Sequence, residues 1–295
     1  MHSKINILFI INPISGVGKK NLIPKAIAAH LSKEKFDYKI EYTQYPSHGQ
    51  KIALENKHLY QAIVAIGGDG TVSEIGASLI HSECALGIIP CGSGNGIARH
   101  LAIPRKIKKA IEKINAFNVT SIDTGTCNQT PFIGLCGFGF DAHIAEAFEK
   151  HTKRGFSTYI KLVSKAYSKY KPHHYQISIN DQEVKHNPLL VCIANSSQYG
   201  NGFTISPIST MQDGKFELIF IARFPLHAIP KLIKQFFSKQ IHHSKYFQSI
   251  TFETQVKVNI TDEKTPSFHI DGDHKQSNTS SFDIQLLPKS LQVLV

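Results

Sequence analysis

The sequence predicts an α/β domain with a parallel sheet, followed by a mostly antiparallel β-sandwich-like domain. Two observations lead there. From Ile5 to Asn115, short apolar runs alternate with stretches of helical spacing. From about Thr120 the rhythm changes to short strand-like runs divided by turn residues. A βαβα alternation calls for parallel strands with helices on both faces, whereas successive short strands call for a sandwich or open barrel. The boundary falls near residue 125, giving domains 1–125 and 126–295, with the last strands free to return to the first domain.

In the first domain, INILFII (Ile5–Ile11) reads as a buried strand and Leu22–Leu31 as a helix. YKIEYT (Tyr38–Thr43) alternates as a strand, and a helix runs from about Ser47 to Asn56. AIVAI (Ala62–Ile66) and ALGII (Ala85–Ile89) are uninterrupted apolar runs, the pattern of strands covered on both faces. Helical spacing follows each, over Val72–Ile80 and Gly96–Leu101. Pro104 suits the first position of a last helix through Asn115. In the second domain the strand candidates are SIDTGTC, FIGLCGF, HYQISIN, LLVCIAN, FELIFIA, SITFET, VKVNI, SFHI, FDIQLL and LQVLV. Helices interrupt near His143–His151, Tyr159–Tyr170 and Leu226–Phe237.

Composition narrows the function classes. A hydrophobic content of 41% supports a packed core, and no run approaches the roughly 18 apolar residues of a spanning helix. The five cysteines form no CxxC pair, which argues against a zinc ribbon or redox motif and fits a reducing cytosol. Net charge is +11, suited to anionic lipid, nucleic acid or a phosphorylated substrate. The lysines are dispersed and no nucleic-acid-binding motif accompanies them, so no nucleic-acid partner is expected.

Three glycine-rich loops each follow a strand of the first domain: NPISGVGKK (Asn12–Lys20), GGDGT (Gly67–Thr71) and PCGSGNGIARHL (Pro90–Leu101). Any one of them is an ordinary strand-to-helix turn. None has the spacing of a Walker loop or of GxGxxG. Three at one edge of a parallel sheet would line a site with bare N–H groups, the Ser15, Thr71 and Ser93 hydroxyls and the Asn12 and Asn95 amides. That is a floor for phosphate. Asp69, a carboxylate inside the second loop, then calls for a cation beside the nucleotide, and Mg²⁺ suits oxygen ligands.

Together with GFGFDAHIA (Gly137–Ala145), IANSSQYGNGFTISP (Ile193–Pro207), DGKFEL (Asp213–Leu218) and IDGD (Ile270–Asp273), these loops resemble the motifs of the diacylglycerol kinase and sphingosine kinase catalytic superfamily. The resemblance spans nearly the whole chain in order. It implies an α/β ATP-binding domain, a β-rich lipid-substrate domain and an active site in the cleft between them. It implies ATP contacts from Asn12, Ser15, Gly16, Thr43, Gly67, Gly68, Gly70, Thr71, Gly92, Ser93 and Asn95. Asp271 would be the general base, with Asp69 and Asp273 as further catalytic carboxylates. Asp141 would meet the lipid head group, although an aspartate there also suits a helix N-cap. Asp213, Lys215 and Glu217 would mark a structural Mg²⁺ loop. On residues alone, Asp271-Gly272 reads as a hairpin turn.

The implied activity is ATP-dependent phosphorylation of a membrane-lipid hydroxyl, with ATP and Mg²⁺ as cofactors, by a cytoplasmic enzyme peripheral to an anionic inner membrane surface. A homodimer is compatible with it. Four departures stand out. Asp273 replaces the usual Glu, Gly96 replaces an Asp of many bacterial members, Val17 stands where some bacterial members have Lys, and Gln212 replaces an acid before Asp213. The alternatives are a kinase of a soluble substrate resembling NAD kinases, and a non-catalytic nucleotide- or lipid-binding regulator.

Overall fold

The computed structural model describes residues 4–15, 22–151, 156–179 and 182–295. It divides into two compact units, Met1–Ile122 with Lys289–Val295, and Asp123–Pro288.

The first unit runs β1 (Ile5–Ile11), α1 (Ile23–His30), β2 (Phe36–Tyr42), α2 (His48–Asn56), β3 (Ala62–Gly67), α3 (Asp69–Leu79), β4 (Ala85–Pro90), α4 (Gly96–His100) and α5 (Ile107–Ala116). The strands are parallel in the order β2-β1-β3-β4, with Ile7 opposite both Tyr38 and Ala62. Val293 pairs in parallel with Leu86 beside β4. Every residue of β3 and β4 is buried, so these strands carry no polar alternation. Strand order reverses between β1 and β3. That switch point is where an open α/β sheet leaves a crevice beyond its carboxyl ends.

The last helix starts at Ile107, not at Pro104. Buried Ile103 returns its N–H to the Ala98 carbonyl and closes the preceding turn, and Lys106 is extended. The proline therefore opens a connecting segment.

In the second unit, β5 (Val119–Cys127), which crosses the unit boundary, pairs antiparallel with β6 (Thr130–Phe132). There follow β7 (Leu135–Gly139), α6 (Phe140–Glu149), α7 (Phe156–Tyr167), β8 (Tyr175–Ile179), β9 (Gln182–His186), β10 (Leu190–Ala194), β11 (Gln198–Gly200) and β12 (Phe203–Thr204). Then come β13 (Phe216–Ile221), α8 (Ile229–Phe237), β14 (Phe247–Phe252), β15 (Gln255–Ile260), β16 (Ser267–Ile270), β17 (Asp273–Gln276) and β18 (Ser281–Leu294). One antiparallel sheet runs β14-β13-β10-β7-β16-β17. A second joins the first part of β18 to β15, β8 and β9.

The core between these sheets holds Phe138, Tyr175, Val191, Phe216, Val258 and Phe282. The other face of β10 and β13 is covered as well. Cys192, Ala194, Ile219 and Ile221 pack there with Leu232 and Phe236 of α8. Burial on both faces is why LVCIA is a continuous apolar run and FELIFI is interrupted only by Glu217.

The strand predicted over FIGLCGF is broken at Ile133-Gly134, whose backbone groups bond to neighbouring loops instead of a ladder. FDIQLL and LQVLV form one strand, with the backbone at positive φ only at Lys289 (φ 48°). Among the described residues no helix is long and apolar enough to cross a membrane.

Gly125 shows how tightly the sandwich closes. A Cβ there would lie 2.6 Å from the Phe132 ring and 2.7 Å from that of Phe216. Gly125→Ala should therefore lower stability by about 1–3 kcal/mol, the usual cost of overpacking, read from the urea midpoint. An unchanged midpoint would show that the ring pair yields freely.

Candidate active site

Two clusters of chemistry-bearing residues emerge, one in each unit. In the first unit, Asn12 stands directly beyond β1. Its Oδ1 accepts the N–H groups of Ile14 (3.0 Å) and Ser15 (3.2 Å), and its Nδ2 donates to Thr71 Oγ1 at 3.0 Å. One asparagine thus shapes the first loop and ties it to the second across the β1/β3 switch point. Gly67 leaves room for Thr71, because a Cβ at Gly67 would lie 2.5 Å from that side chain.

Asp69 has partners that its sequence context did not suggest. Oδ2 accepts the Asn95 N–H and Oδ1 the Gly96 N–H, both at 2.6 Å. The carboxylate caps the third loop from across the sheet edge. Two backbone donors meet its charge. Asn95 closes the same loop on itself. Its Oδ1 accepts the Gly92 N–H (2.9 Å) and its Nδ2 donates to the Gly92 carbonyl (2.7 Å). Asn95 has φ of 52°, a left-handed conformation that asparagine tolerates better than most residues. Gly92 passes so close to Gly68 that a Cβ on Gly92 would lie 2.5 Å from the Gly68 Cα. Arg99 donates from Nε to the Gly94 carbonyl.

Gly70 and exposed Ser93 belong to these interlocked loops, and Thr43 follows β2 with its N–H on the Ile11 carbonyl. Gly16 lies outside the described residues. The arrangement suits a polyphosphate. The first turn of α3 has N–H groups without intrahelical acceptors and carries the positive end of the helix dipole.

In the second unit, Asp271 and Gly272 form the two-residue loop between β16 and β17, with φ of 50° and 89°. Both central residues at positive φ is the requirement of a type I′ hairpin turn, which Asp-Gly meets well. The hairpin reading is therefore correct, and the side chain does more. Oδ1 accepts the N–H groups of Gly134 (2.7 Å) and Leu135 (2.9 Å), and Oδ2 that of Ile133 (3.0 Å). Three amides fix the carboxylate's direction. Asp273 keeps an exposed surface, yet the desolvating protein around it and the charge of Asp271 push its carboxyl above the usual carboxylate range.

Asp141 is the second residue of α6, whose N-cap is Gly139, so the capping role does not apply. It is 6% exposed, and its Oδ2 accepts from Tyr199 Oη (2.7 Å) and lies 3.0 Å from His269 Nε2. The Gly272 N–H points at His269 Nδ1 (3.4 Å), which assigns the Nε2 hydrogen to Asp141. Through His269, Asp141 therefore supports the turn that carries Asp271. Gly137, opposite His269 in the sheet, must lack a side chain, because a Cβ would lie 2.2 Å from Nε2 and 2.4 Å from Asp141 Oδ2.

Neither His269 nor Tyr199 was singled out from sequence. The available signal was a polar residue inside SFHI, two positions before Asp271. Asn195, also buried, ties the Asp123 and Ile133 carbonyls together through Nδ2.

The residues expected at a structural Mg²⁺ have protein partners of their own. Glu217 is buried and accepts from Thr251 Oγ1 at 2.7 Å. The Lys215 ammonium pairs with Glu253, and Asp213 Oδ1 accepts the Lys215 N–H. Among the described residues, no cluster of three or more His, Cys, Asp or Glu is placed to hold a metal.

Comparison with known proteins agrees with this architecture. Residues 6–127 match the diacylglycerol kinase catalytic domain, and residues 134–295 match the YegS C-terminal NAD kinase beta sandwich-like domain. The chain belongs to the family that joins these two domains, and it is an enzyme, a kinase of the diacylglycerol kinase type. A Citrobacter koseri protein named "Probable lipid kinase YegS-like" is 27% identical, over 95% of this chain and 93% of its own. An uncharacterized Synechocystis protein is 26% identical over 96% of this chain and 69% of its own. A solved structure of a Bacillus anthracis diacylglycerol kinase superposes with a TM-score of 0.75 at 20% identity, covering 99% of this chain and 98% of that one, and so shares the fold.

Two outcomes follow from these contacts. Removing His269 leaves a buried carboxylate short of one donor, so His269→Ala should cost about 1.5–3 kcal/mol by chemical denaturation, the range for hydrogen bonds to charged groups. His269→Gln should recover part of that loss. Glu217 is the second case. Burial holds its carboxyl above the ordinary 4.5. An acid raised on folding favours the native state in its protonated form, so its contribution falls as pH rises from 4.5 towards the folded value. Glu217→Gln should therefore gain on wild type across that window. Added Mg²⁺ should leave the difference unchanged, and a Mg²⁺-dependent stabilisation confined to wild type would restore the metal reading.

Proposed function

We propose that the chain transfers the γ-phosphoryl group of ATP, with Mg²⁺, to a hydroxyl of a membrane lipid that is diacylglycerol-like or sphingoid-like. One observation carries this reading. The loops at the sheet's switch point are clamped together by Asn12–Thr71 and by Asp69 with the Asn95 and Gly96 amides. The clamp occupies the Asp69 charge within the loop pair and leaves the start of α3 as a cradle for an anion. The relatives named as lipid kinases and the diacylglycerol kinase domain support a lipid acceptor.

On this reading Asn12, Ser15, Gly68, Gly70, Thr71 and Ser93 would hold the triphosphate. Bound Mg-ATP supplies the transferable phosphoryl group, and its metal screens the developing charge. Asp271 accepts the proton of the lipid hydroxyl. The three amides at its oxygens hold it in one orientation, which positions the acceptor for attack. Asp141 supports that turn through His269 instead of reaching for a head group. The enzyme would act in the cytoplasm, peripherally, at an anionic inner membrane surface that suits its net charge of +11.

Labelled ATP offered with mixed lipid extract, and separately with NAD, tests the acceptor class by product identification. A labelled lipid is expected. Label in NAD alone, or in nothing, would overturn the proposal. Asp271→Asn should lower turnover by about 10²–10⁴-fold while the Mg-ATP-induced thermal shift persists. Near wild-type turnover would return Asp271 to a purely structural turn.

A further inference from the structure

The segment between β13 and β14 has an unusual charge pattern. From Leu218 to Phe252, 35 residues, there is no Asp or Glu, against 22 in the whole chain. The same segment carries Arg223, Lys231, Lys234, Lys239 and Lys245, all exposed. Among the described residues, Lys231, Lys234 and Lys239 have no ion-pair partner.

The helix in this segment has two distinct faces. Leu232 and Phe236 of α8 are core residues, so the apolar stripe visible in KLIKQFF is spent on the sheet beneath. The outward side shows Lys231, Lys234 and Ser238 at helical spacing, with Phe237 at its edge. Phe237 is 43% exposed, and Leu226, in the turn leading into α8, is 63% exposed. Paired lysines flanked by exposed Leu and Phe, with no acid in the same segment, describe a surface complementary to anionic headgroups over hydrocarbon.

The face is also linked to the candidate acceptor side. Phe203 stacks on Phe236 with ring centroids 4.0 Å apart and meets Phe237 edge-on at 5.9 Å. Phe203 also packs near Tyr199, whose hydroxyl donates to Asp141.

We infer that the Arg223–Lys245 segment, centred on α8, is the face on which this enzyme docks to an anionic bilayer, with Lys231 and Lys234 supplying charge and Leu226 and Phe237 inserting. The inference rests on the reading of the chain as a kinase of membrane lipids.

Binding can be measured without catalysis, so the two ideas can fail separately. The full-length protein, without ATP, is cosedimented with vesicles of phosphatidylcholine containing one part in three phosphatidylglycerol, and with pure phosphatidylcholine. Preference for the anionic vesicles is expected. Each lysine near such a surface is worth about fivefold, so Lys231→Gln with Lys234→Gln should weaken partitioning about 30-fold. Leu226→Ser with Phe237→Ser should weaken it on both vesicle types. Lys108→Gln with Lys113→Gln, on exposed positions of α5, removes the same charge elsewhere and should change partitioning little.

Equal losses in the α5 control would overturn the docking face and leave only general charge attraction. No loss in the α8 pair would overturn it as well. So would an α8 pair that alters oligomeric state by light scattering with partitioning unchanged, since the face would then seat a second copy. An α8-dependent partition in a protein that labels no lipid would keep the docking face and sink the lipid-kinase reading.

Discussion

The Asp69 carboxylate receives two backbone N–H groups at 2.6 Å, and the phosphate-side platform depends on that contact. Loops at strand ends are individually floppy, because glycine gives each many conformations. Asp69 removes that freedom by capping the loop after β4 from the loop after β3, and Asn12 does the same between the loops after β1 and β3. The three turns then behave as one object. A carboxylate among glycines looks hostile to phosphate in one dimension. In three, its charge lies inside the joint, and the donors of α3 remain for an anion.

The second unit uses the same chemistry. Asp271 is oriented by three amides from the break between β6 and β7, just as Asp69 is by two. Behind it, Tyr199, Asp141 and His269 form a partly buried chain of hydrogen bonds ending at the Gly272 N–H. Such a chain stabilises only when every member is satisfied, which is why Gly137 cannot carry even a methyl group. Rigidity at this turn comes from polar contacts packed against the sheet rather than from the turn alone.

Much of the fold was legible because burial on both faces leaves a strong mark. AIVAI, ALGII and FELIFI read as strands without alternation, and all are buried. The ends of elements were harder. The start of α5 is decided by Ile103 bonding back to Ala98, a contact that no propensity encodes. The site was legible as motifs and illegible as partners. GGDGT and IDGD marked Asp69 and Asp271, but what their oxygens touch lies 26 and about 137 residues away in sequence. His269 escaped notice for the same reason, since its meaning comes from Asp141, 128 positions earlier. The resemblance marked Asp213, Lys215 and Glu217 as a loop, but it could not show that Glu217 turns inward to Thr251.

The path of β18 bears on how the protein is made. Val293 pairs beside β4, and the first unit is assembled from residues up to Ile122 together with Lys289–Val295. A ribosome that has delivered Ile122 has yet to add the seven residues that finish that unit. At about 5–20 residues per second, the sheet edge along β4 stays open for roughly 10–35 s while the second unit is synthesised. Domain-by-domain folding from the N-terminus is therefore incomplete until Lys289–Val295 have been added, because those residues close the sheet beside β4.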